Sequence, residues 1–294
     1  MGFLSNLING ISLGSIYAVI ALGYTMVYGI AKMLNFAHGD VIMIGAYVAY
    51  AITTGLNLPP AVTIIISMLV CTVLGITIEK VAYKPLRKAS SLSVLITAIG
   101  VSYFLQNSAL LFLFKGKPVN FNSIITVPDI KLFDNQVVIS GETSTAIVVS
   151  VIIVIALSLF IKKTKTGKAM LAVSEDKGAA QLMGVNVNRT ITITFAIGSA
   201  LAAVAGILLC SAYPSLTHAT GAMPGIRAFV AAVFGGIGSI PGAMIGGILL
   251  GVIENLSKAY ISPQLADAIV FGVLIIVLMV KPTGLLGKKI NEKV

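Results

Sequence analysis

Long stretches without any charged side chain divide this sequence into segments of membrane-spanning length. A helix needs about 20 consecutive apolar residues to cross the hydrocarbon core of a bilayer. The uncharged runs are 1–31, 41–58, 61–78, 89–114, 143–161, 190–226, 228–253 and 268–280. They are too long and too uniformly apolar for the alternating strands of a membrane β-barrel. The sequence therefore predicts an all-α, polytopic transmembrane helical bundle of about eight membrane-spanning helices, with broken or re-entrant elements, in a single domain over residues 1–294.

The amino-acid composition excludes a soluble protein. Charged residues make up 10% of the chain and hydrophobic residues 57%, whereas a soluble domain carries about 25% charged residues. The net charge of +10 could suggest nucleic-acid binding. The cations lie in short connections between apolar runs, however, so they are topology signals, and we expect membrane lipid and no nucleic acid as a partner.

Lysine and arginine are concentrated in every second connection, which predicts the orientation, because cytoplasmic loops carry the excess of these residues. The richer set is Lys32, Lys80, Lys84, Arg87, Lys88, Lys162, Lys163, Lys165, Lys168, Lys177, Arg189, Lys281, Lys288, Lys289 and Lys293. The poorer set is Lys115, Lys117, Lys131, Arg227 and Lys258. We therefore expect 162–190 and the C-terminus in the cytoplasm, and the loop 115–142 and the N-terminus outside. Residues 228–280 must then cross an odd number of times, and 228–237 are too short to span, which suggests a half-helix or re-entrant element there.

Small residues at four-residue spacing predict close helix packing, because helices in lipid associate through direct backbone approach. The pairs are Gly10 and Gly14, Gly242 and Gly246, Gly247 and Gly251, and Ala202 and Gly206.

The basic segment 162–190 is too long for a simple connection. Ser174 is expected to cap a short helix with Glu175 and Asp176 in its first turn, where the helix dipole favours anions. Gly184 is suited to ending that helix in the left-handed conformation. The apolar face would consist of Ala179, Leu182 and Met183. This helix either lies on the lipid surface or the bundle, or docks into a groove on a cytoplasmic partner.

Polar groups inside a membrane are energetically expensive and therefore informative. The densest cluster is Asn35-Phe36-Ala37-His38-Gly39-Asp40. It is either a turn with Asp40 capping the next helix, or a broken helix lining a water-filled path, with Asn35 or His38 facing the solute. The candidate pathway residues are Asn35, His38, Gly39, Asp40, Gly235, Gly236, Gly238 and Pro241. Farther along the chain, Glu254 and Lys258 are spaced to pair across one helical turn.

No enzyme motif accompanies these residues. The sequence lacks Gly-x-Ser-x-Gly and His-Glu-x-x-His, which would mark a hydrolase nucleophile or a zinc site. Gly167-Lys168 lacks the earlier Gly and the following Ser or Thr of a phosphate-binding loop. We therefore expect no catalytic residue, metal or cofactor on this chain, and any ATP must be bound by partner subunits.

Three separated motifs resemble the LivH-type permeases, the membrane subunits of bacterial ABC importers for branched-chain amino acids. They are Asn35–Asp40 followed by Gly45-Ala46-Tyr47, the segment Ala172–Gly184, and the run Gly235–Gly242. The resemblance implies a bacterial plasma-membrane location and docking of Ala179, Ala180, Leu182, Met183 and Gly184 on an ATPase, although Gly178 stands where importer permeases carry Glu. It also implies a second permease of LivM type, two cytoplasmic ATPases, an external substrate-binding protein and an amino-acid substrate.

Three alternatives stay open on the sequence. The first is a related ABC permease for other amino acids, urea or short amides. The second is an ion-coupled carrier, which would need charges buried in mid-membrane, whereas Asp40, Glu254 and Asp267 lie near the edges of uncharged runs. The third is a membrane-embedded enzyme.

Overall fold

The computed structural model describes residues 2–87, 89–113, 116–124, 127–132 and 137–287. Five cations used in the orientation argument lie outside these residues: Lys88, Lys115, Lys288, Lys289 and Lys293. Part of the predicted external loop 115–142 lies outside them too.

The described chain is almost entirely helical, as predicted. The helices are α1 (Gly2–Ala31), α2 (His38–Gly55), α3 (Pro60–Ile78), α4 (Ser91–Phe112), α5 (Gly141–Lys163), α6 (Lys165–Glu175), α7 (Lys177–Leu182), α8 (Val187–Ala212), α9 (Ala222–Gly235), α10 (Ile240–Tyr260) and α11 (Ala266–Val280). A π-helical turn, Glu79–Tyr83, and a 3-10 turn, Lys84–Leu86, extend α3. The short strands are β1 (Val119–Asn120), β2 (Ile130–Leu132), β3 (Val137–Ile139) and β4 (Ser215–Leu216).

Six helices are long and apolar enough to cross a membrane: α1, α3 with its extension, α4, α5, α8 and α10. The shorter helices α2, α9 and α11 pack among them. At 14 residues, α9 is about 21 Å long, which is shorter than the roughly 30 Å hydrocarbon core. The helical-bundle prediction is therefore confirmed, and α9 has the length of a half-helix.

Helix α1 runs through the centre of the bundle. It packs against α5, α8, α9 and α10, and 94% of its most apolar window is buried. By contrast, only 28%, 22% and 28% of the corresponding windows of α3, α4 and α5 are buried. Their exposed faces carry Leu69, Val73, Ile96, Phe104 and Ile152, which suits a lipid environment rather than water.

The seam between α1 and α10 is built from glycines, as the spacing predicted. A Cβ atom on Gly14 would lie 2.6 Å from Ile248 Cα, and one on Gly247 would lie 2.6 Å from Ala18 Cα. A Cβ on Gly251 would overlap the backbone of Gly14. The two helices can approach this closely only because these positions lack side chains.

Substituting Gly14→Ala should therefore lower stability by about 1–3 kcal/mol, because the added carbon overpacks the seam. Thermal unfolding can be followed with a maleimide dye that reacts with Cys71 and Cys210, both free and buried in the native fold. Gly272→Ala on α11 is the matched control, because a Cβ there meets nothing within 4 Å. Equal unfolding midpoints for the two variants would contradict the packing argument.

One end of the bundle collects the basic connections; we call it the basic end. There the Lys177 ammonium donates to the carbonyl of Ala31 at 2.8 Å, and Arg87 contacts both Glu79 and Asn188. Residues 285–286 also reach this end, where their N–H groups donate to the carbonyls of Phe234 and Gly235 at 2.9 Å. The described parts of the connections 79–90 and 162–190 thus share one end with residues 281–287.

The opposite end carries the strands. β1 pairs antiparallel with β4, matching Val119 with Leu216 and Asn120 with Ser215. β2 and β3 form an antiparallel ribbon within the loop 115–142, and β3 packs against α1. The predicted external loop is therefore joined to the connection between α8 and α9.

Candidate functional site

Helix α2 begins inside the bundle rather than at its end. His38, 2% exposed, packs edge-on against Tyr24 with ring centroids 4.8 Å apart. Its imidazole also occupies the space where a Cβ on Gly23 would lie. Gly23 is eight residues before the end of α1, which is about 12 Å along the helix. The chain from 32 to 37 therefore returns into the bundle before α2 starts.

The start of α2 meets the start of α9. A Cβ on Gly39 would come 3.4 Å from Gly225 Cα, and one on Gly221 would overlap the Gly39 carbonyl. Two helix N-termini thus touch through backbone alone inside the bundle. The positive ends of both helix dipoles are directed towards this junction.

Two polar side chains near the junction, Asn35 and Asp40, are buried and paired, whereas the buried Nε2 of His38 has no hydrogen-bond partner among the described residues. Asn35, 4% exposed, accepts a hydrogen bond from the Tyr83 hydroxyl at 2.9 Å. Asp40, 1% exposed, accepts one from Gln106 Nε2 at 2.9 Å. The expectation that Asp40 caps α2 is wrong, because Ala37 is the N-cap residue and makes no side-chain bond. The side chain of Asp40 instead ties α2 to α4.

The second candidate segment links α9 to α10 at the basic end. Gly236 and Gly238 adopt φ values of +106° and +91°, which favour glycine. Gly235 packs so closely on Gly242 that a Cβ on either would overlap the other's backbone. Pro241 is exposed in the first turn of α10, where its missing N–H does no harm.

The two candidate segments come together in the structure. Asn35 and Ile237 line the same crevice, together with Phe229, and a Cβ on Gly29 would lie 3.2 Å from Gly238 Cα. The crevice has no room for a water molecule. The helices are therefore packed together at this crevice, and no open path runs through it.

A charge cluster that the sequence analysis missed lies midway along α1. Arg227 forms ion pairs with Glu254 at 2.9 Å and with Asp267 at 2.7 Å. The Tyr17 hydroxyl donates to the other Glu254 oxygen at 2.8 Å, and Lys258 pairs with Glu254 at 2.5 Å. The cluster joins α1, α9, α10 and α11.

Two expectations about these charges need correction. Arg227 was assigned to an external connection, but it lies within α9, and the side chain of Glu254 is fully buried. Asp40 is buried as well. Asp40 and Glu254 are thus buried inside the bundle, although both lie near the edges of uncharged runs in the sequence. Their position in the sequence therefore does not exclude an ion-coupled carrier. The predicted pair of Glu254 and Lys258 is confirmed. The signal available in the sequence was a lone arginine between two uncharged runs.

The basic segment 162–190 folds into two helices, α6 and α7, rather than one. Ser174 lies inside α6, where its hydroxyl donates to the Leu171 carbonyl at 2.7 Å, so its predicted capping role is wrong. Glu175 ends α6 and does not lie in the first turn of α7. Asp176 is the actual N-cap of α7, because its carboxylate accepts from the Ala179 N–H at 2.9 Å. Extended backbone at Asp176 breaks the helix there.

The end of α7 follows the prediction. Gly184 has φ +82°, and N–H groups of Gly184 and Val185 close the helix onto the carbonyls of Gln181 and Ala180 at 3.0 Å. Ala180 is buried, whereas Ala179 and Gly184 are exposed. The side chains of the two residues before Gly184 project outward: Leu182 is 90% and Met183 84% exposed. An apolar knob thus protrudes from the basic end.

Replacing Asp176 by alanine should cost α7 about 1 kcal/mol, since the N-cap acceptor is lost. We expect faster amide hydrogen exchange across Lys177–Leu182, while α6 keeps its protection. Ser174→Ala is the control, because Ser174 caps nothing. Faster exchange in the Ser174 variant alone would restore the original assignment.

Comparisons with known proteins give a consistent result. Residues 6–278 match the family described as "Branched-chain amino acid transport system / permease component". The high-affinity branched-chain amino acid transport system permease protein LivH of Escherichia coli is 44% identical, over 99% of this chain and 98% of that protein. BraD, named for the same transport system in Pseudomonas aeruginosa, is 45% identical over 99% and 98%. A probable LivH of Methanocaldococcus jannaschii is 29% identical over 93% and 89%.

Proposed function

Because the chain belongs to the permease-component family of branched-chain amino acid transport systems, we propose that it forms part of the membrane pathway of an ATP-driven importer of leucine, isoleucine and valine. The observation that carries this is the match of almost the whole chain to LivH and BraD. The chain is a transport subunit rather than an enzyme. It acts with a second permease, two cytoplasmic ATPases and an external binding protein.

The basic end faces the cytoplasm in this proposal. The shared position of the connections 79–90 and 162–190 supports it, since basic connections favour the cytoplasmic side. The strands β1–β4 then face outward, towards the binding protein. The C-terminus is cytoplasmic.

The ATPases bind α7 and the residues that follow it. Leu182 and Met183 stand exposed in a segment otherwise rich in charge, and an exposed apolar pair of this kind suits a groove on a protein partner. ATP is bound by those partners, and this chain carries no cofactor. The hydrogen bond from Lys177 to Ala31 links α7 to the end of α1, so a displacement of α7 reaches the central helix.

Solute passes near the α2–α9 junction and the 235–242 segment. A zwitterionic amino acid needs a few polar groups along an apolar path, and Asn35, His38 and Asp40 supply them together with the two helix N-termini. Backbones approach closely there at glycines, namely Gly39, Gly235, Gly236 and Gly238. Pro241 lies beside them in the first turn of α10. The closed crevice within one chain supports a path shared with the second permease.

The test is uptake by the assembled importer. The tagged full-length chain is purified with its bound subunits, reconstituted in liposomes with ATP inside, and supplied with the binding protein and labelled leucine, isoleucine or valine. We expect uptake that requires ATP and is not competed by urea. Uptake of urea alone would support the related short-amide permeases, and uptake driven by an ion gradient without ATP would support a carrier.

A further inference from the structure

A second cavity of about 360 Å³ lies at the basic end, between the end of α1, the start of α4 and α7. It adjoins the crevice at Asn35, because Tyr28, Met33 and Leu34 line both. Its volume is in the range of small-molecule sites. Among the described residues, three cations line it, Lys32, Arg87 and Lys177, and no acidic residue does. A concave site with converging positive charge favours an anion.

Burial and the neighbouring cations both change the pKa of the Lys177 ammonium. Desolvation lowers the pKa of this ammonium, and the positive charges of Arg87 and Lys32 lower it further. Lys177 is therefore held close enough to Lys32 and Arg87 to be repelled by both, although Arg87 also forms an ion pair with the buried Glu79. A bound anion would relieve that repulsion.

Lys32 occupies an unusual backbone position for a lysine. Its φ is +58°, a left-handed conformation that is strained for a residue with a side chain. Glycine would fit that position without strain. A lysine there places its charge on the cavity.

Arg87 offers a further unused donor. Its terminal nitrogens contact Glu79 and Asn188, but the buried Nε has no hydrogen-bond partner among the described residues. A buried donor without a partner is energetically unfavourable. The first turn of α4, at Ser91, also lines the cavity.

The rest of the cavity is apolar and adjoins a lipid-facing surface. Met33, Val94 and Leu95 form this part of the wall. Next to Leu95 on α4, Leu92 and Ile96 are 63% and 61% exposed. A ligand that is anionic at one end and apolar at the other fits both halves.

We propose that this cavity binds the phosphate headgroup of an anionic phospholipid, with the acyl chains lying along α4. A basic pocket between transmembrane helices is suited to such headgroups. The lipid is distinct from the carried solute, so the proposal holds whichever solute is carried, although the cavity adjoins the crevice at Asn35.

The test compares lipid discs made of phosphatidylcholine alone with discs containing added phosphatidylglycerol, using the full-length chain. Thermal unfolding is read with the cysteine-reactive dye. We expect phosphatidylglycerol to raise the unfolding midpoint of the native protein. Lys32→Gln should need roughly fivefold more phosphatidylglycerol for half of this effect, and Lys32→Gln combined with Lys177→Gln roughly 25-fold more, since each lysine near an anionic lipid contributes about 1 kcal/mol.

Lys168→Gln is the matched control, because Lys168 is an exposed cation on α6 that does not line the cavity. Each variant is compared with itself in the two kinds of disc, so any loss of basal stability cancels. Three outcomes would overturn the proposal. One is an equal phosphatidylglycerol response in the native and double-variant proteins. Another is the same stabilisation from inorganic phosphate in phosphatidylcholine discs, which would mark a free-anion site. The third is that phosphatidylglycerol does not stabilise the native protein and that the lysine variants no longer co-purify with the ATPases. That result would assign the cavity to a protein partner.

Discussion

Replacing Arg227 by methionine is expected to destabilise the protein by about 3 kcal/mol, the lower end of the cost of breaking a buried ion pair. The buried Glu254 carboxylate would keep only the partly exposed Lys258 as a cationic partner. Glu254 is fully buried and pairs with Arg227 at 2.9 Å. Removing the cation also leaves Asp267 without its ion pair. The unfolding midpoint and the yield of folded protein in detergent should both fall sharply.

Two further variants make this result specific. Lys258→Met should cost less, since the Lys258 side chain is 36% exposed and Arg227 remains in place. Adding Glu254→Gln to Arg227→Met should recover much of the lost stability, because no uncompensated charge stays buried. If the double variant is no more stable than Arg227→Met, the charge pairing is not what stabilises this region.

Introducing charge on α7 is expected to abolish ATPase binding while leaving the fold intact. In Leu182→Asp combined with Met183→Asp, the side chains at two highly exposed positions change, so the free energy of unfolding should move by less than about 0.5 kcal/mol. A charge placed in an apolar interface must be desolvated without a partner, which costs several kcal/mol. ATPase co-purification and ATP-dependent uptake should both be lost.

Ile261→Asp is the control for this experiment. Ile261 is 65% exposed and follows α10, away from the basic end. It should leave ATPase co-purification unchanged. Retention of the ATPase by the α7 double variant would contradict the docking proposal.

The sequence was sufficient for features that depend on local pattern. Uncharged run length predicted the helices, and the spacing of Gly10, Gly14, Gly247 and Gly251 predicted a close seam. Gly184 was identified as a helix end because its conformation is a property of the residue itself. The cap of α7 was misplaced by two residues, from Asp176 to Ser174, because both side chains can cap and only the backbone break decides between them.

Neither the depth of a residue in the bundle nor its distant partners could be read from the chain. His38 packs beside Gly23 because the segment after α1 folds back, and Arg227 meets Glu254 because α9 and α10 are antiparallel neighbours. Gly39 and Gly221 touch although they are 182 positions apart in the sequence.

Hydrophobicity and spacing by themselves determined that this chain is a helical membrane protein, because transfer into lipid depends on each segment's own composition. The family motifs in the sequence indicated which family of transport proteins this chain belongs to. Only the tertiary structure decided where the charges lie, which helix ends meet and where a basic cavity forms, because these depend on contacts between segments that no local pattern encodes.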